Sequence, residues 1–525
     1  MKKQITLNVE ARNQLLEGVK ALSAAVKVTL GPRGRNVILD KGHGVPSVTK
    51  DGVSVAKQVV LDNPVQNLGC ELVKSVASKT NDIVGDGTTT ATVLAEALTV
   101  KGLSYVSAGV DPLSIKRGID KGVQAIVDEL DRVAMKIMTK TQKAQIASIS
   151  ANSCEIGELI ADVMQKVGDF APISVEESPS FGIEMEVVEG MQFDKGYISP
   201  YMAGGPDGGE TVLEDACILL TDKNISSIQD ILKVLEDLSR SGVSNLVIIA
   251  DDVEGEALAT LILNKMNGKF NAVAVKAPGF GDGKAELLED LAVLTGASVV
   301  TDKVGLSLRE VGVEVLGKAR RVLVTKDKTT IVDGGGDAKC VSSRIEQLKS
   351  RSKSVDSDYE KQELLKRVAK LSSGVAVLKV GAASEVEVGE IKDRIEDALN
   401  ATRAAIEEGV VAGGGIALLQ ARSVVDGLDF GCDERFGLQA LMSSVEAPIR
   451  QIAENAGQDG KVVVAEVLRR GLGYNAYTGE YEDLIKTGVI DPKKVTRSAL
   501  QNAASIATMI ITTEVVVANI NNNEN

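Results

Sequence analysis

The sequence predicts a multidomain protein of mixed α and α/β class, helical towards both ends of the chain and mixed in the middle. Its 525 residues correspond to three or four domains at about 150 residues per domain. Apolar residues recur at helical spacing near both ends, whereas short β-like runs alternate with helical stretches in the middle third. A hydrophobic content of 44% with 25% charged residues is typical of a globular chain, so we expect each domain to bury its own core.

The N-terminal elements follow from apolar spacing and turn residues. Residues 10–29 carry apolar side chains three and four positions apart, which predicts an amphipathic helix that ends at Gly31. Residues 36–40 and 47–50 predict two short strands joined by a glycine-rich turn. An alanine- and leucine-rich stretch then predicts a second helix over residues 88–98.

The middle third is predicted to form alternating strands and helices. Residues 246–250, 273–275 and 298–300 are rich in Val and Ala and predict strands, separated by helical stretches. The helix predicted over residues 256–266 carries apolar residues on more than one side. Such a helix is either buried on two sides or leaves an apolar patch exposed, and burial is the expected case.

The last third is predicted to be helical. A helical pattern covers residues 359–408, interrupted by a strand-like segment at 374–381, and continues to about Thr513. Residues 519–525 are polar and rich in Asn, which predicts disorder.

Composition excludes several classes of function. A net charge of -14 disfavours binding to nucleic acid through a basic face. His43 is the only histidine and lies between two glycines, so a Ser-His-Asp hydrolase, a His-rich zinc site or a haem protein is not expected. The five cysteines form no C-x-x-C pair and are interpreted as thiols in a reducing compartment. Because there is no run of 18 apolar residues and no apolar stretch follows the first residues, we expect a cytoplasmic protein that does not span a membrane.

The clearest chemical motif is a glycine turn followed by threonines, residues 85–92. The ordinary P-loop pattern G-x-x-x-x-G-K-[ST] is absent from the sequence. In the motif, three hydroxyls open a helix whose unpaired N–H groups favour an anion, and Asp86 could hold Mg2+ beside phosphates. The alternative interpretation is a threonine N-cap after a glycine turn, without a ligand.

Further candidates are turns and one carboxylate. The turns are residues 29–34, residues 50–52 and the Gly413 to Gly415 segment, each of which would suit close approach of a nucleotide or would be only a turn. In a helix over residues 391–406, Asp397 lies opposite the apolar face, which predicts a solvated carboxylate. The alternative is a carboxylate that reaches across a cleft to orient water.

Seven strings of sequence together resemble the group I chaperonins, the GroEL family, over essentially the whole chain. They are residues 26–37, 85–94, 149–153, 189–194, 252–260, 275–282 and 404–415. The resemblance implies a mostly helical equatorial domain formed by residues 1–132 and 408–525. It further implies a small α/β intermediate domain at 133–188 and 376–407, and an α/β apical domain at 189–375.

The resemblance also implies an ATP hydrolase that drives protein folding. We expect ATP and Mg2+ as cofactors, with K+ as a candidate second ion, and non-native polypeptides as clients. Only residues 203–209 lie where a built-in lid would need an insertion, so a separate co-chaperonin lid is implied. The expected assembly is a homo-oligomer of two stacked seven-membered rings, without nucleic acid or membrane partners.

Individual roles carry over at matching positions. Asp397 and Asp51 are implied to be catalytic, and Asp86 is implied to hold the metal. The implied nucleotide contacts are Thr29, Leu30, Gly31, Pro32, Lys50, Asp86, Gly87, Thr88, Thr89, Thr90, Gly414, Asn475, Ala476, Tyr477 and Asp491. The implied client-binding residues are Tyr197, Tyr201, Leu232, Leu235, Leu258, Ile262 and Leu263.

Two other classes of function remain open from the residues alone. A small-molecule ATPase or kinase would use the same nucleotide motif, although it does not account for the broadly apolar helix at 256–266. A non-folding paralogue that acts as a binding scaffold would fit the C-terminal sequence, which lacks the family's usual Gly-Gly-Met tail. The retained Asp86 and Asp397 argue against a scaffold, because a scaffold has no need to hydrolyse ATP.

Overall fold

The computed structural model describes residues 3–40, 46–137, 139–178, 180–188, 190–203, 209–279, 281–355, 358–372 and 374–519. His43, residues 204–208 of the expected short apical loop, and residues 520–525 of the expected disordered tail lie outside the described residues.

The α-helices are α1 (Asn8–Val26), α2 (Gly52–Gln58), α3 (Pro64–Val84), α4 (Thr88–Ser107), α5 (Pro112–Val133), α6 (Lys140–Ala151), α7 (Cys154–Val167), α8 (Leu232–Arg240), α9 (Gly255–Met266), α10 (Asp282–Thr295), α11 (Ala338–Ser354), α12 (Asp358–Ser372), α13 (Glu385–Glu408), α14 (Ile416–Ala421), α15 (Glu434–Ser444), α16 (Ala447–Asn455), α17 (Gly460–Arg470), α18 (Leu484–Thr487) and α19 (Lys493–Ile511). Short 3-10 helices cover Lys27–Thr29, Pro200–Met202, Ile228–Asp230, Asp302–Val304, Val313–Val315 and Arg422–Gly427.

The strands are β1 (Lys3–Leu7), β2 (Val37–Leu39), β3 (Ser47–Thr49), β4 (Ile173–Glu177), β5 (Gly182–Val188), β6 (Gly190–Phe193), β7 (Thr211–Leu220), β8 (Asn224–Ile225), β9 (Asn245–Ala250), β10 (Asp252–Val253), β11 (Asn271–Lys276), β12 (Gly317–Val324), β13 (Thr329–Gly334), β14 (Val375–Gly381), β15 (Val410–Ala412), β16 (Gly473–Asn475), β17 (Glu480–Glu482), β18 (Ile490–Pro492) and β19 (Val515–Asn519).

The chain divides into two compact units. The first unit consists of Met1–Gln165, Glu177–Gly182 and Val380–Asn525, and the second of Lys166–Glu176 and Ile183–Lys379. The first unit therefore takes both ends of the chain, as the helical character of the two ends predicts.

The first unit is built on packed helices. Helix α19 contacts α4, α3 and α5, while α1 packs on α3 and α15 packs on α5. Their apolar faces form one core that includes Leu22, Leu94, Leu98, Ile115, Ile119 and Ile510, all of them fully buried. Several of these helices begin with a side-chain cap, as where Asn63 accepts hydrogen bonds from Val65 and Gln66 at the start of α3. The helices predicted at 10–29 and 88–98 are confirmed, and the second is longer than predicted.

The two ends of the described chain pair with each other. Strand β1 runs antiparallel to β19, with Lys3 opposite Asn519. Val516 and Ala518 face the core, while Ile5 and Val517 are exposed. Asn519 is therefore in a strand, and the prediction that disorder begins at this residue is wrong, because pairing with β1 satisfies its backbone.

The second unit surrounds a six-stranded sheet of order β11-β9-β7-β12-β13-β6. The pairs β11 with β9 and β9 with β7 are parallel, and the remaining pairs are antiparallel. Helices α9 and α10 contact the sheet, and its strands β9 and β11 are buried almost throughout. The α/β character predicted for the middle of the chain is confirmed.

One predicted strand is wrong. Residues 298–300 form no strand; Val300 alone bridges to Thr221. Strand β7 ends at Leu220, where the Val300 N–H donates to the Leu220 carbonyl oxygen at 2.8 Å and the Thr221 hydroxyl donates to the Val300 carbonyl oxygen at 2.7 Å. Among the described strands, none forms a ladder with this run.

Candidate functional site

The glycine turn before α4 joins two long helices. Gly85 follows α3 with a φ of +72°, and Gly87 precedes α4 with a φ of +79°. A Cβ atom on Gly85 would lie 2.3 Å from Nδ2 of Asn400, which belongs to α13. Only glycine fits this backbone conformation and this close approach, so the turn is held against α13.

Three segments from the list of predicted nucleotide contacts converge at the start of α4. The Oγ1 atoms of Thr29 and Thr89 lie 3.2 Å apart. A Cβ on Gly52 would lie 2.3 Å from the same Thr89 hydroxyl oxygen. Asp51 caps α2 and accepts hydrogen bonds from the backbone N–H groups of Val53 and Ser54, at 3.2 and 2.8 Å. The structure thus brings the 29–32, 50–52 and 86–90 segments together.

Asp86 is partly buried at this point. Its carboxylate accepts hydrogen bonds from the backbone N–H of Gly87 and from Oγ of Ser150, the latter at 3.2 Å. Burial raises the pKa of Asp86 to about 6, and the negative charge of Asp51 adds to the rise. The two hydrogen bonds oppose the shift because they favour the charged form.

Two further carboxylates face the same region. Burial raises the pKa of Asp491, on β18, to about 7; the charge of Asp86 adds to this and the Gly414 N–H opposes it. Burial also raises the pKa of Asp397, on α13, well above its usual value, and the charges of Asp86 and Asp51 raise it further. Carboxylates whose charges disfavour one another in this way are stabilised by a nearby cation.

The Asp397 side chain is partly buried, so the prediction of a fully solvated carboxylate is wrong. Helix α13 contacts α6, α19 and β18 as well as the strand β3. Its apolar face therefore packs as predicted, with Ile395 and Ala398 fully buried. On the opposite face, Asp397 is partly buried while Asp393 and Glu396 are exposed, and apolar periodicity does not distinguish these positions.

The remaining predicted nucleotide contacts lie around strands β15 and β18. Val411 pairs with Asp491 across these strands. Leu30, Tyr474 and Ala476 belong to one apolar cluster of the first unit, which brings the 29–32 segment next to the 474–477 segment.

Within the 474–477 segment, the amide of Asn475 donates to Oε1 of Glu482 at 2.6 Å, and the Tyr477 side chain is 69% exposed. Arg33 donates to the Tyr477 carbonyl oxygen at 3.1 Å. The Lys50 side chain is half-buried, and among the described residues no hydrogen bond or ion pair engages its ammonium group. Lys50 is thus a cation available to an anionic ligand beside the carboxylates.

Sequence reasoning missed Ser150 and Asn400 as members of this site. Ser150 lies on α6 and bonds Asp86, and Asn400 lies on α13 one turn after Asp397. A single hydroxyl or amide on a helix has no pattern of its own, so only the folded arrangement identifies it.

The second unit carries a groove between α8 and α9. Its volume is about 380 Å³. It is lined by Ile228, Leu232, Leu235, Glu236, Ser239, Arg240, Thr260 and Asn264. Of the predicted client-binding residues, Leu232 and Leu235 lie in this groove.

Helix α9 leaves apolar side chains exposed. Ala257 and Leu261 are fully buried, whereas Leu263 is 59% and Met266 70% exposed. The prediction that this helix is buried on two sides is wrong, because only one of its sides packs against the core. Leu258 and Ile262 are half-buried between these faces.

The two predicted client-binding tyrosines differ in their surroundings. Tyr201 is 72% exposed. Tyr197 packs against the core, and its backbone bridges to Val275. Of the predicted client-binding residues, Tyr201 and Leu263 are therefore the exposed ones. Met266, which was not among the predicted client-binding residues, is exposed as well.

Two findings limit the kinds of site in the described part of the chain. No described helix is long and apolar enough to cross a bilayer. Nor does the described structure bring together three His, Cys, Asp or Glu side chains with the geometry of a metal site.

The family model of the TCP-1/cpn60 chaperonins matches residues 22–521. The chain belongs to the TCP-1/cpn60 chaperonin family. The fold of this chaperonin is similar to that of the chaperonin gp146 from the bacteriophage EL 2 (Pseudomonas aeruginosa), crystallised in the presence of ATP-BeFx. The two are 21% identical, with a TM-score of 0.67 over 98% of each chain. Membership of a chaperonin family and the mixed α and α/β fold class are confirmed, whereas the group I type stays a prediction; membership of this family supports a chaperone role.

Proposed function

We propose that this chaperonin is an ATP-dependent folding machine of the group I type. In this proposal it captures non-native polypeptides on apolar surfaces of the second unit. It then encloses them in a ring cavity under a separate co-chaperonin and works in the cytoplasm. The residue-level observation that supports it most is the convergence of Asp86, Asp397 and Asp491 on the threonine-rich start of α4.

The residues fit a nucleotide with Mg2+. The start of α4 offers unpaired N–H groups and hydroxyls to phosphates, and Gly52 leaves space that a side chain would fill. Mg2+ prefers oxygen ligands and is commonly held by one or two carboxylates together with phosphates, so a cage of three protein ligands is not required. Asp86 would hold Mg2+, which when bound neutralises phosphate charge.

The chain's own residues then have separate tasks. Asp397 accepts a hydrogen bond from the attacking water and orients it, with Asp51 as a second catalytic carboxylate. The 29–32 segment, Lys50 and the 86–90 segment surround the phosphates. Gly414, the 475–477 segment and Asp491 contact base and ribose. Positioning and charge stabilisation of this kind provide most of the catalysis in phosphoryl transfer.

Client capture follows from the exposed apolar side chains of the second unit. Leu263 and Met266 on α9, together with the exposed Tyr201, offer apolar contacts that do not depend on the sequence of the client. Burying one such side chain contributes about 1.5–3 kcal/mol before ordering costs. Several copies in one ring would add avidity for a long non-native chain.

The proposed domains follow the family pattern. The equatorial domain would hold the nucleotide site, and the apical domain would carry the α8–α9 groove. The intermediate domain at 133–188 and 376–407 would include Asp397, so that its closure brings this carboxylate to the nucleotide. Gly190 and Gly374 are the proposed hinges, since Gly374 has a φ of +63°.

Native mass spectrometry with and without ATP tests the proposed ring. Chains of 55.2 kDa predict about 386 kDa for one seven-membered ring and about 773 kDa for two. A chain that stays monomeric in both conditions would contradict the cage, while leaving the nucleotide site intact.

A further inference from the structure

The segment that contains Thr29 and Leu30 is hydrogen-bonded to helix α16 through the side chain of Asn455. The Nδ2 group of Asn455, the last residue of α16, donates to the carbonyl oxygens of Lys27 and Leu30, at 3.0 and 2.9 Å. These carbonyls lie on either side of Thr29. The Asn455 carbonyl oxygen Oδ1 is in turn bonded by Nε2 of Gln451, at 2.9 Å. Both Asn455 donor hydrogens and its acceptor are therefore engaged.

Ile452, on the same turn of α16, lies close to the 27–31 segment. Gly31 has a φ of +81°, and a Cβ there would lie 3.2 Å from two carbon atoms of the Ile452 side chain. Ile452 and Asn455 are three residues apart, so they share one face of α16. This face meets the 27–31 segment with an apolar contact at one point and with two hydrogen bonds at another.

The 27–31 segment contacts the start of α4 directly. Thr29 donates to the Val26 carbonyl oxygen at 3.0 Å, and its hydroxyl oxygen lies 3.2 Å from that of Thr89. A displacement of the carbonyls on either side of Thr29 would therefore move its hydroxyl relative to Thr89. Asn455 has no contact with the aspartates of the site among its described hydrogen bonds, so any effect on the nucleotide passes through this segment.

We infer that Asn455 is a positioning residue for nucleotide binding, which holds the 27–31 segment in the conformation that receives the phosphates. The inference rests on the proposed function, because it assumes that this segment contacts the nucleotide. Asn455 neither touches the reacting atoms nor takes part in proton transfer. Its loss should weaken nucleotide binding and leave the chemical step of the bound complex nearly unchanged.

The test compares the full-length oligomer with the variants Asn455→Ala and Gln451→Ala. ATP hydrolysis gives KM and kcat, and calorimetric titration with ADP gives Kd. One ordinary hydrogen bond alters an equilibrium by about two- to tenfold, so we expect Asn455→Ala to raise KM and Kd about tenfold with kcat within about twofold. Gln451→Ala, which loses only the support of Oδ1, should raise both constants by about two- to threefold.

A matched control is Asn245→Ala in the second unit. Asn245 also donates from Nδ2 to a backbone carbonyl, that of Glu214 at 2.6 Å. This control should leave KM for ATP and Kd for ADP unchanged, even if its melting temperature falls.

The outcomes separate the inference from the proposed function. Unchanged KM and Kd in Asn455→Ala would overturn the inference, whatever happens to the melting temperature, since Asn455 would then serve packing alone. A fall in kcat with unchanged KM would overturn it too. If Asn455→Ala does not assemble, Gln451→Ala decides by the same criteria. A wild-type protein that binds no ADP would instead defeat the proposed function itself.

Discussion

Asp397 is the residue on which the proposed chemistry depends most. It lies on α13 and its pKa is raised by burial and by the charges of Asp86 and Asp51. A carboxylate kept in such a place has a cost to folding, which is the pattern expected of a functional group.

Replacement of this carboxylate should separate binding from turnover. We expect Asp397→Ala to lower the rate of ATP hydrolysis by about 10²- to 10⁴-fold, because general acid–base groups contribute factors of that size. ADP should still bind, and the variant should be at least as stable as the wild type because a partly buried carboxyl group whose charged form is disfavoured is removed. Steady-state ATPase assays and calorimetric titration measure both effects.

The control for this variant is Asp393→Ala, one turn earlier on α13 and exposed. It should hydrolyse ATP at close to the wild-type rate. Turnover that is unchanged in Asp397→Ala would refute the role given to that residue.

Asp491 makes a prediction about pH. Its folded-state pKa of about 7 means that the folded protein keeps a proton which the unfolded chain releases near pH 4. As the pH rises through this window, the unfolded state loses a proton that the folded state holds, so the contribution of Asp491 to stability falls. The loss is complete above the folded-state pKa and amounts to about 4 kcal/mol at most.

Asp491→Asn removes this titration while keeping an oxygen that can accept from the Gly414 N–H. In the absence of nucleotide, we expect the variant's gain in melting temperature over the wild type to be larger at pH 8 than at pH 5. Differential scanning calorimetry at both pH values checks it. A gain that is equal at both values would show that Asp491 is charged throughout.

At the level of single residues, the local sequence motif predicted part of the site. Thr88 opens α4 and Asp86 precedes it, as the motif predicts. The partial burial of Asp397, and the contacts of Ser150 with Asp86 and of Asn455 with Leu30, depend on residues far apart in the chain. No local pattern encodes them, so the residues alone led to the wrong surroundings for Asp397.

Helix α9 has one apolar face buried in the core and a second apolar face exposed to solvent. Ala257 and Leu261 fix it to the core, while Leu263 and Met266 remain in solvent. An apolar stripe left in solvent next to a groove is typical of an interaction surface.

Substitution on the exposed face should reduce client capture without reducing stability. We expect Leu263→Ser combined with Met266→Ser to weaken binding of a denatured polypeptide at least about fivefold, with a melting temperature close to that of the wild type. Leu261→Ala, on the buried face, should instead lower the free energy of unfolding by about 2–5 kcal/mol.

Val187→Ser is a matched control, because Val187 is 48% exposed on β5 rather than on α9. Client binding is read from suppression of aggregation or from fluorescence anisotropy of a labelled client. Equal losses in the Val187→Ser and α9 variants would mean that general surface hydrophobicity, and not this face, captures the client.

Elements with strong local periodicity were predicted well, and those that depend on distant partners were not. The helices α1 and α4 have clear apolar faces. Strand β1 was missed because its partner β19 begins more than 500 residues later. Residues 298–300 have strand-like composition, but their described strand-type pairing is a single bridge from Val300 to Thr221. Strand formation depends on an available neighbour, which composition does not specify.

The whole molecule combines a helical unit that carries the carboxylate site with an α/β unit that carries the apolar groove. The alternation of predicted elements along the chain anticipated this division, because both ends have helical spacing and the middle has β-like runs. A chaperone needs the two sites to be coupled, since ATP turnover without client release achieves no folding. The coupling of the two sites is the central claim of the proposed function.

Refolding of a chemically denatured client tests that claim most directly. The client is diluted into the full-length chaperonin with Mg2+, a ten-kilodalton-class co-chaperonin and either ATP or no nucleotide, and its recovered activity is measured. The account predicts capture without nucleotide, and ATP-dependent recovery in the wild type that Asp397→Ala largely loses. Recovery that is the same with and without ATP, in a wild-type protein that hydrolyses ATP, would contradict it.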